Sequence, residues 1–330
     1  MKSIRIPLMW LAVILLMSLV SVGAQVFQYG DTNTARLEYL RTNQLERHVA
    51  VLEQRAGDTW SYRVLSAWAV EAWLRGLESV RIEDVAVGFV SFRLVQNALL
   101  FALLIHWHSR LGFRADLIVL ALTVLVWAMS HSNYGSDLSF NTYFDVIFYV
   151  LGMLALHAHA LLIFIPLTLM AALNRETSAL LALLPLVLLW EGVSRRKVAG
   201  VVMASGVIFA LVYVGLRVWI GDVPISANHG VMDLLSKNLT RPLPYFLLLL
   251  TYGAIPFLAW VYWNEWADWL KRVGLLVLPT WLIVHLLISR IAETRLFLVP
   301  FVIVILPGLL YGLQARGTHH STSLLKEGSS

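Results

Sequence analysis

Residues 160–190 read A-L-L-I-F-I-P-L-T-L-M-A-A-L-N-R-E-T-S-A-L-L-A-L-L-P-L-V-L-L-W, an apolar run broken by five polar residues, Asn174-Arg175-Glu176-Thr177-Ser178. Ionisable side chains at membrane depth cost several kcal/mol unless they are paired or face a wet cavity, so they mark functional sites. Two apolar arms around a polar tip predict a membrane hairpin. Its tip has neither Gly nor Pro, and we expect it to dip into the protein and meet charges from other loops.

The rest of the chain supports a bilayer setting. Hydrophobic residues make up 59% and charged residues 14% of the sequence, and the mean hydropathy is +0.73. This is far too apolar for an ordinary soluble domain. There is no cysteine, which removes disulfides, thiolate metal sites and thiol nucleophiles. The formal charge of +5 is scattered between apolar stretches, so it follows membrane topology and speaks against a nucleic-acid partner.

Apolar stretches fall at about 6–24, 85–107, 115–130, 143–157, 159–173, 178–191, 199–219, 243–263, 273–289 and 296–313. A bilayer core of about 30 Å asks for about 17–25 residues per helix. The fold class is therefore all-α, a polytopic bundle of about ten helices forming one transmembrane domain over residues 1–313. The third to sixth stretches are short, which fits a re-entrant segment or polar ends drawn into the protein. The tail, 314–330, reads as a disordered cytoplasmic end.

Basic residues set the orientation. With Lys2 and Arg5 inside, the loops with Arg110 and Arg114, with Arg195-Arg196-Lys197, and with Lys271 and Arg272 are cytoplasmic, as are both termini. The connection at His157 and His159 also lands inside but carries no lysine or arginine. The first stretch resembles a signal peptide ending at Val22-Gly23-Ala24, although its apolar length favours a retained anchor. The outer face then holds the loop at 25–84, the hairpin tip, and the segments 131–142, 221–244 and 290–295.

The 25–84 loop contains two amphipathic patterns. Leu37, Leu40, Leu45, Val49 and Leu52 share one helical face; Trp60, Tyr62, Leu65, Trp68, Trp73 and Leu77 mark a second. Both predict interfacial helices, with Thr59 as a cap for the second and Glu71 paired to Arg75. The 13 tryptophans, several near span ends, suit an aromatic belt better than sugar stacking.

Polar clusters gather on the outer side: Asp31; Tyr62-Arg63; Asn133-Tyr134 with Asp137; Asn174-Arg175-Glu176; and Glu293 with Arg295. Arg175 and Glu176 are helical neighbours about 100° apart, so each needs a partner from elsewhere, and Glu293 and Arg295 are the candidates. Each cluster has a plainer reading beside the functional one. Asp31 and Asp137 fit turns, Arg63 fits a snorkelling side chain, and residues 175, 176, 293 and 295 fit a structural ion-pair network. Arg93, Gln96 and Asn97 are expected to face the bundle interior. His106, His108, His157 and His159 have no adjoining carboxylate in sequence, so no metal site is read from them. Asn238-Leu239-Thr240 matches a glycosylation acceptor, a weak motif.

Tyr62-Arg63-Val64-Leu65, the Asn-Arg-Glu-Thr-Ser hairpin and Glu293-Thr294-Arg295 together resemble bacterial polytopic proteins of the GT-C glycosyltransferase class. That resemblance implies a helix bundle in the bacterial inner membrane whose first outer loop bears amphipathic helices. It also implies sugar transfer from a polyprenyl-phosphate donor, with an acidic residue of that loop as base. Asp31 occupies the matching region, without the paired acids of many members, so no cofactor is called for and metal dependence stays open. The implied partners are a lipid-linked sugar donor and membrane lipid, with Arg63, Arg175 and Arg295 balancing the departing phosphate. Two rivals stand beside this reading: a transporter or flippase of an anionic or lipid-linked substrate, and a non-catalytic membrane assembly subunit. Convergence of the outer charges beside a lipid-facing groove would favour the transferase, and an occluded midplane cavity the transporter.

Overall fold

The computed structural model describes residues 8–27, 33–132, 138–221 and 230–327. Among these residues regular structure is helical throughout, with no strand. Helices satisfy their own backbone groups, which lipid demands of a chain this apolar. Six helical segments are long and apolar enough to cross a membrane: Leu8–Val26, Val85–Arg110, Phe140–His157, Arg195–Ile220, Asp268–Ile288 and Thr294–Gly317. A seventh is present if Pro242–Tyr252 and Ile255–Val261, bent by 71°, form one broken span. Gly253 takes the left-handed region, φ +56°, at that bend. The chain is thus a multi-pass helical membrane protein.

α1 (Leu8–Phe27) packs on α5 (Val85–Arg110) and α6 (Ala115–His131). Between α1 and α5 lie the helices of the first loop. α2 (Asn33–Tyr39) passes through a wide turn, Leu40–Gln44, into α3 (Leu45–Leu52), and a tight turn, Asp58–Tyr62, precedes α4 (Val64–Ser79). The expected cap is absent: the Thr59 hydroxyl instead accepts from Arg63 Nη2 at 3.2 Å, and helical geometry resumes only after Arg63. The Glu71–Arg75 pair forms at 2.7 Å. These helices lie on the bundle, where Leu40 and Val70 share an apolar cluster with Val22, Val26, Phe89 and Phe92.

α7 (Phe140–His157) is an inner span, with 78% of its apolar window buried against 83% for Thr294–Gly317, and it packs on α5 and on α8 (Phe164–Asn174). The second hairpin arm differs from the single helix expected over 178–191. α9 (Ala179–Leu183) gives way to a tighter helix, Leu184–Glu191, where Pro185 removes an N–H and crowds the carbonyl one turn back. α10 (Arg195–Ile220) is peripheral, only 17% buried.

α11 (Val231–Thr240) packs on α14 (Asp268–Ile288), and α12 (Pro242–Tyr252) leads into α13 (Ile255–Val261). Asn238 is buried; its amide donates to the Leu286 and Ser289 carbonyls and its oxygen accepts from Ile291 N–H. A glycan on that nitrogen would take the place of one donated bond, at a residue only 3% exposed. After α15 (Leu298–Pro300) and a wide turn, α16 (Leu306–Glu327) turns Gly308 and Gly312 towards Trp266 and Tyr262, where any side chain would overlap the rings. Small residues four apart let elements meet this closely. α16 also runs through the segment expected as a disordered tail, as far as Glu327, with helix-compatible Gln314-Ala315-Arg316 carrying it past the apolar run.

Candidate functional site at the charged end

The hairpin tip is drawn inside the protein. Asn174 and Ser178 are fully buried and Arg175 is 6% exposed. α8 stops at Asn174, whose amide donates to the Asn141 carbonyl at 2.8 Å. Arg175 is extended, and its carbonyl accepts from the Ser178 hydroxyl at 2.7 Å, starting the next turn. Asn174, Arg175 and Ser178 are folded into the protein while Glu176 and Thr177 stay half-buried, and the tip's own side chains help close the turn.

Each charge of the tip finds a partner, though not the expected one. Glu176 Oε2 lies 3.6 Å from Arg63 Nη2, joining the hairpin to the first loop. Arg175 Nη1 lies 3.9 Å from Asp145 Oδ2 and 3.4 Å from the Thr142 hydroxyl, both on α7. Glu293 and Arg295, expected to neutralise the tip, pair with each other at 3.0 Å, and Arg295 also reaches the Ser139 hydroxyl. Two residues apart in a tight turn, they meet more readily than either reaches the hairpin. Yet the groups form one cluster: Arg63 reaches Glu176, Arg295 reaches Ser139 at the start of α7, and Thr142 and Asp145 of α7 hold Arg175.

Asp145 is fully buried and was not among the sequence candidates. The Thr177 hydroxyl donates to its Oδ2 at 2.8 Å, while its Oδ1 has no hydrogen-bond partner. The Tyr149 hydroxyl donates to the Thr177 carbonyl at 2.7 Å, locking the tip against α7. An acid inside an apolar span is the same anomaly that marks Arg175, so the signal was present in the sequence. Tyr62 is buried, donates to the Gly221 carbonyl at 2.9 Å and lies under the Arg217 guanidinium, which gives it a packing role at the edge of the cluster.

Two cavities open from the cluster. The larger, 600 Å³, runs between α3 and the Glu293–Arg295 turn and is lined by Asn43, Glu46, Arg47, Arg55, Trp60, Glu293 and Arg295 among others. The smaller, 50 Å³, lies deeper, bounded by Gln44, Arg47, His48, Trp60, Arg63, Ser139 and Asn141. Trp60 belongs to both, with Arg63 and Arg295 against its ring at 5.2 and 5.7 Å. His48 Nε2 sits 3.1 Å from Glu71 Oε2, yet burial pushes the imidazole below its ordinary value, against the pull of that carboxylate. A third, apolar groove of 440 Å³ is walled by Leu248, Tyr252, Leu278, Trp281, Phe297 and Phe301 among others. It begins two residues beyond Arg295, and Trp281 donates to the Leu296 carbonyl at 2.8 Å at that junction.

Asp31, Asp137, Asn133 and Tyr134 lie outside the described residues. Around them, Arg36 donates to the Val26 and Gln25 carbonyls, and Leu138 N–H donates to Gln44 Oε1, so both neighbouring segments are tied to the same end of the bundle. Among the described residues no three His, Asp or Glu side chains gather to hold a metal ion, although Glu191 does come within 3.2 Å of His159.

No family model, curated protein or solved structure matches the chain.

Proposed function

We propose that the chain is a glycosyltransferase of the GT-C type, moving a sugar from a polyprenyl-phosphate donor to an acceptor at the outer face of the bacterial inner membrane. In this reading the bundle has about ten membrane segments, with the short and broken helices counted among them, and both termini are cytoplasmic. The observation that carries it is an arginine-lined 600 Å³ cavity and a 440 Å³ apolar groove whose walls follow one another along the chain, from Arg295 to Phe297. A sugar phosphate on an isoprenoid tail needs those two environments side by side. A saccharide fits a cavity with carboxylates, an amide and an indole, and the tail fits the groove that starts at Phe297.

The chemistry asked of the residues is modest. The acceptor oxygen bonds to the anomeric carbon as the bond from that carbon to the phosphate oxygen breaks, and the bonding pair leaves with the phosphate. Asp31 takes the hydroxyl proton, and Arg63 and Arg295 balance the charge that grows on the phosphate. Arg175 and Glu176 hold the hairpin tip against α7 and Arg63. Purified protein given a radiolabelled polyprenyl-phosphate sugar and candidate acceptors should release polyprenyl phosphate and transfer label. Asp31→Asn and Arg63→Gln, with thermal midpoints unchanged, should each lose that transfer. Full transfer by both variants would overturn the proposed site.

A further inference from the structure

We infer that the small deep cavity is the phosphate subsite of the charged end, formed by Asn141, Arg47 and Arg63. Resting on the transferase reading, it adds two residues that no sequence motif marks and removes Arg175 from phosphate contact. Asn141, in the first turn of α7, is 2% exposed, and neither its side-chain oxygen nor its nitrogen has a hydrogen-bond partner. A buried amide left unsatisfied costs more than a single hydrogen bond contributes. It lines the cavity, and turning its amide into that space would let a ligand satisfy it. Arg63 Nε is also buried without a partner and belongs to the same wall.

Size and charge choose the ligand. A water needs about 10–15 Å³ of such space, so 50 Å³ admits a few waters or one tetrahedral oxyanion and excludes a hexose. Arg47 is exposed, has no ion-pair or hydrogen-bond partner among the described residues, and lines both cavities. The walls thus offer two guanidinium groups and an amide, a donor set that suits both the phosphodiester of the donor and the monoester it leaves. No acidic residue lines this compartment. Arg175 does not line it either; held by Thr142 and Asp145, it stands behind as a positioning residue. The phosphate enters the deep compartment and leaves the sugar in the wide one, where Glu46 and Glu293 face it.

Calorimetry of the full chain in detergent tests this, with farnesyl phosphate as probe, farnesol as the uncharged control and inorganic phosphate as competitor. Wild type should bind farnesyl phosphate at least about tenfold more tightly than farnesol or inorganic phosphate, because charge and tail both contribute. Asn141→Leu and Arg47→Gln should each weaken farnesyl phosphate about tenfold with farnesol binding unmoved. If Asn141→Leu does not fold, Asn141→Asp, which keeps the size and adds repulsion, should weaken binding further. Wild-type binding in the Asn141 and Arg47 variants, with loss in Arg63→Gln, would overturn the subsite and leave the transferase reading standing. Inorganic phosphate competing as well as farnesyl phosphate would overturn the lipid source. Failure of wild type to bind farnesyl phosphate would overturn both.

Discussion

Two regions of this bundle bury arginine, and they handle it in opposite ways. Arg93 on α5 is sealed: its guanidinium lies 3.9 Å from the Tyr143 ring centre and 4.8 Å from that of Phe140, and it donates to Gln96 Oε1 at 2.8 Å. Gln96 passes the network to the Phe140 carbonyl, and Asn97 reaches Ser21 on α1. At the charged end, Arg63 and Arg295 meet carboxylates at longer or partly exposed contacts and line open space. A polar group packed between aromatic rings specifies the fold, whereas one that lines a cavity is available to a ligand. Arg93 touches none of the three cavities. On this comparison it is scaffold, and Arg63 is site.

The largest effect should come from the sealed region. Arg93→Ala removes a fully buried side chain and strands Gln96, so we expect about 3 kcal/mol or more of lost stability. Its thermal midpoint in detergent should fall well below wild type, while farnesyl phosphate binding per folded molecule is kept. Lost binding with an unchanged midpoint would move Arg93 into the site. Asp145→Ala straddles the comparison. Leaving Arg175 buried without its countercharge costs about 3–5 kcal/mol, and the loosened hairpin should weaken binding too. Arg63→Gln lies at the other extreme, with binding reduced by about 1.5–3 kcal/mol, the worth of a hydrogen bond to a charged group, and the midpoint almost unmoved.

The bundle was largely readable because apolar length is a local property. The stretches at 85–107, 143–157 and 199–219 fall within α5, α7 and α10, and the Asn174–Ser178 anomaly led directly to a buried tip. Partnership was not local. That Glu176 meets Arg63 and Arg175 faces Asp145 depends on helices brought together from distant sequence, and neighbouring turns gave no hint of it. Asp145 itself was legible by the rule that flagged Arg175, since it stands two residues into the 143–157 stretch. Arg47 lies on the polar face of an amphipathic helix, where an arginine is ordinary; only the cavity distinguishes it. Asn141 becomes informative only when its lack of partners is seen.

The smallest expected effect concerns the α3–α4 contact that roofs the deep cavity. Burial lowers the His48 pKa, and hydrogen bonds from Arg75 and then His48 lower that of Glu71. Both groups bind protons less readily folded than unfolded, so their contribution is present above the unfolded values, about 6.5 and 4.3, and is lost as pH falls through the folded ones. Protection factors against hydrogen exchange in α3 and α4 should therefore fall below about pH 6 and again below about pH 4, with those of α5 unaffected. Glu71→Gln should abolish the lower step.

The claim that the charged end and the apolar groove form one lipid-phosphate site is tested most directly by photo-crosslinking. A diazirine-bearing isoprenoid phosphate, irradiated with the full chain in detergent and mapped by peptide mass spectrometry, should label residues 248–256, 278–282 and 297–305. Excess farnesyl phosphate should suppress that labelling, and Arg63→Gln should reduce it. Label concentrated on lipid-facing α10, or label that farnesyl phosphate does not displace, would contradict the account.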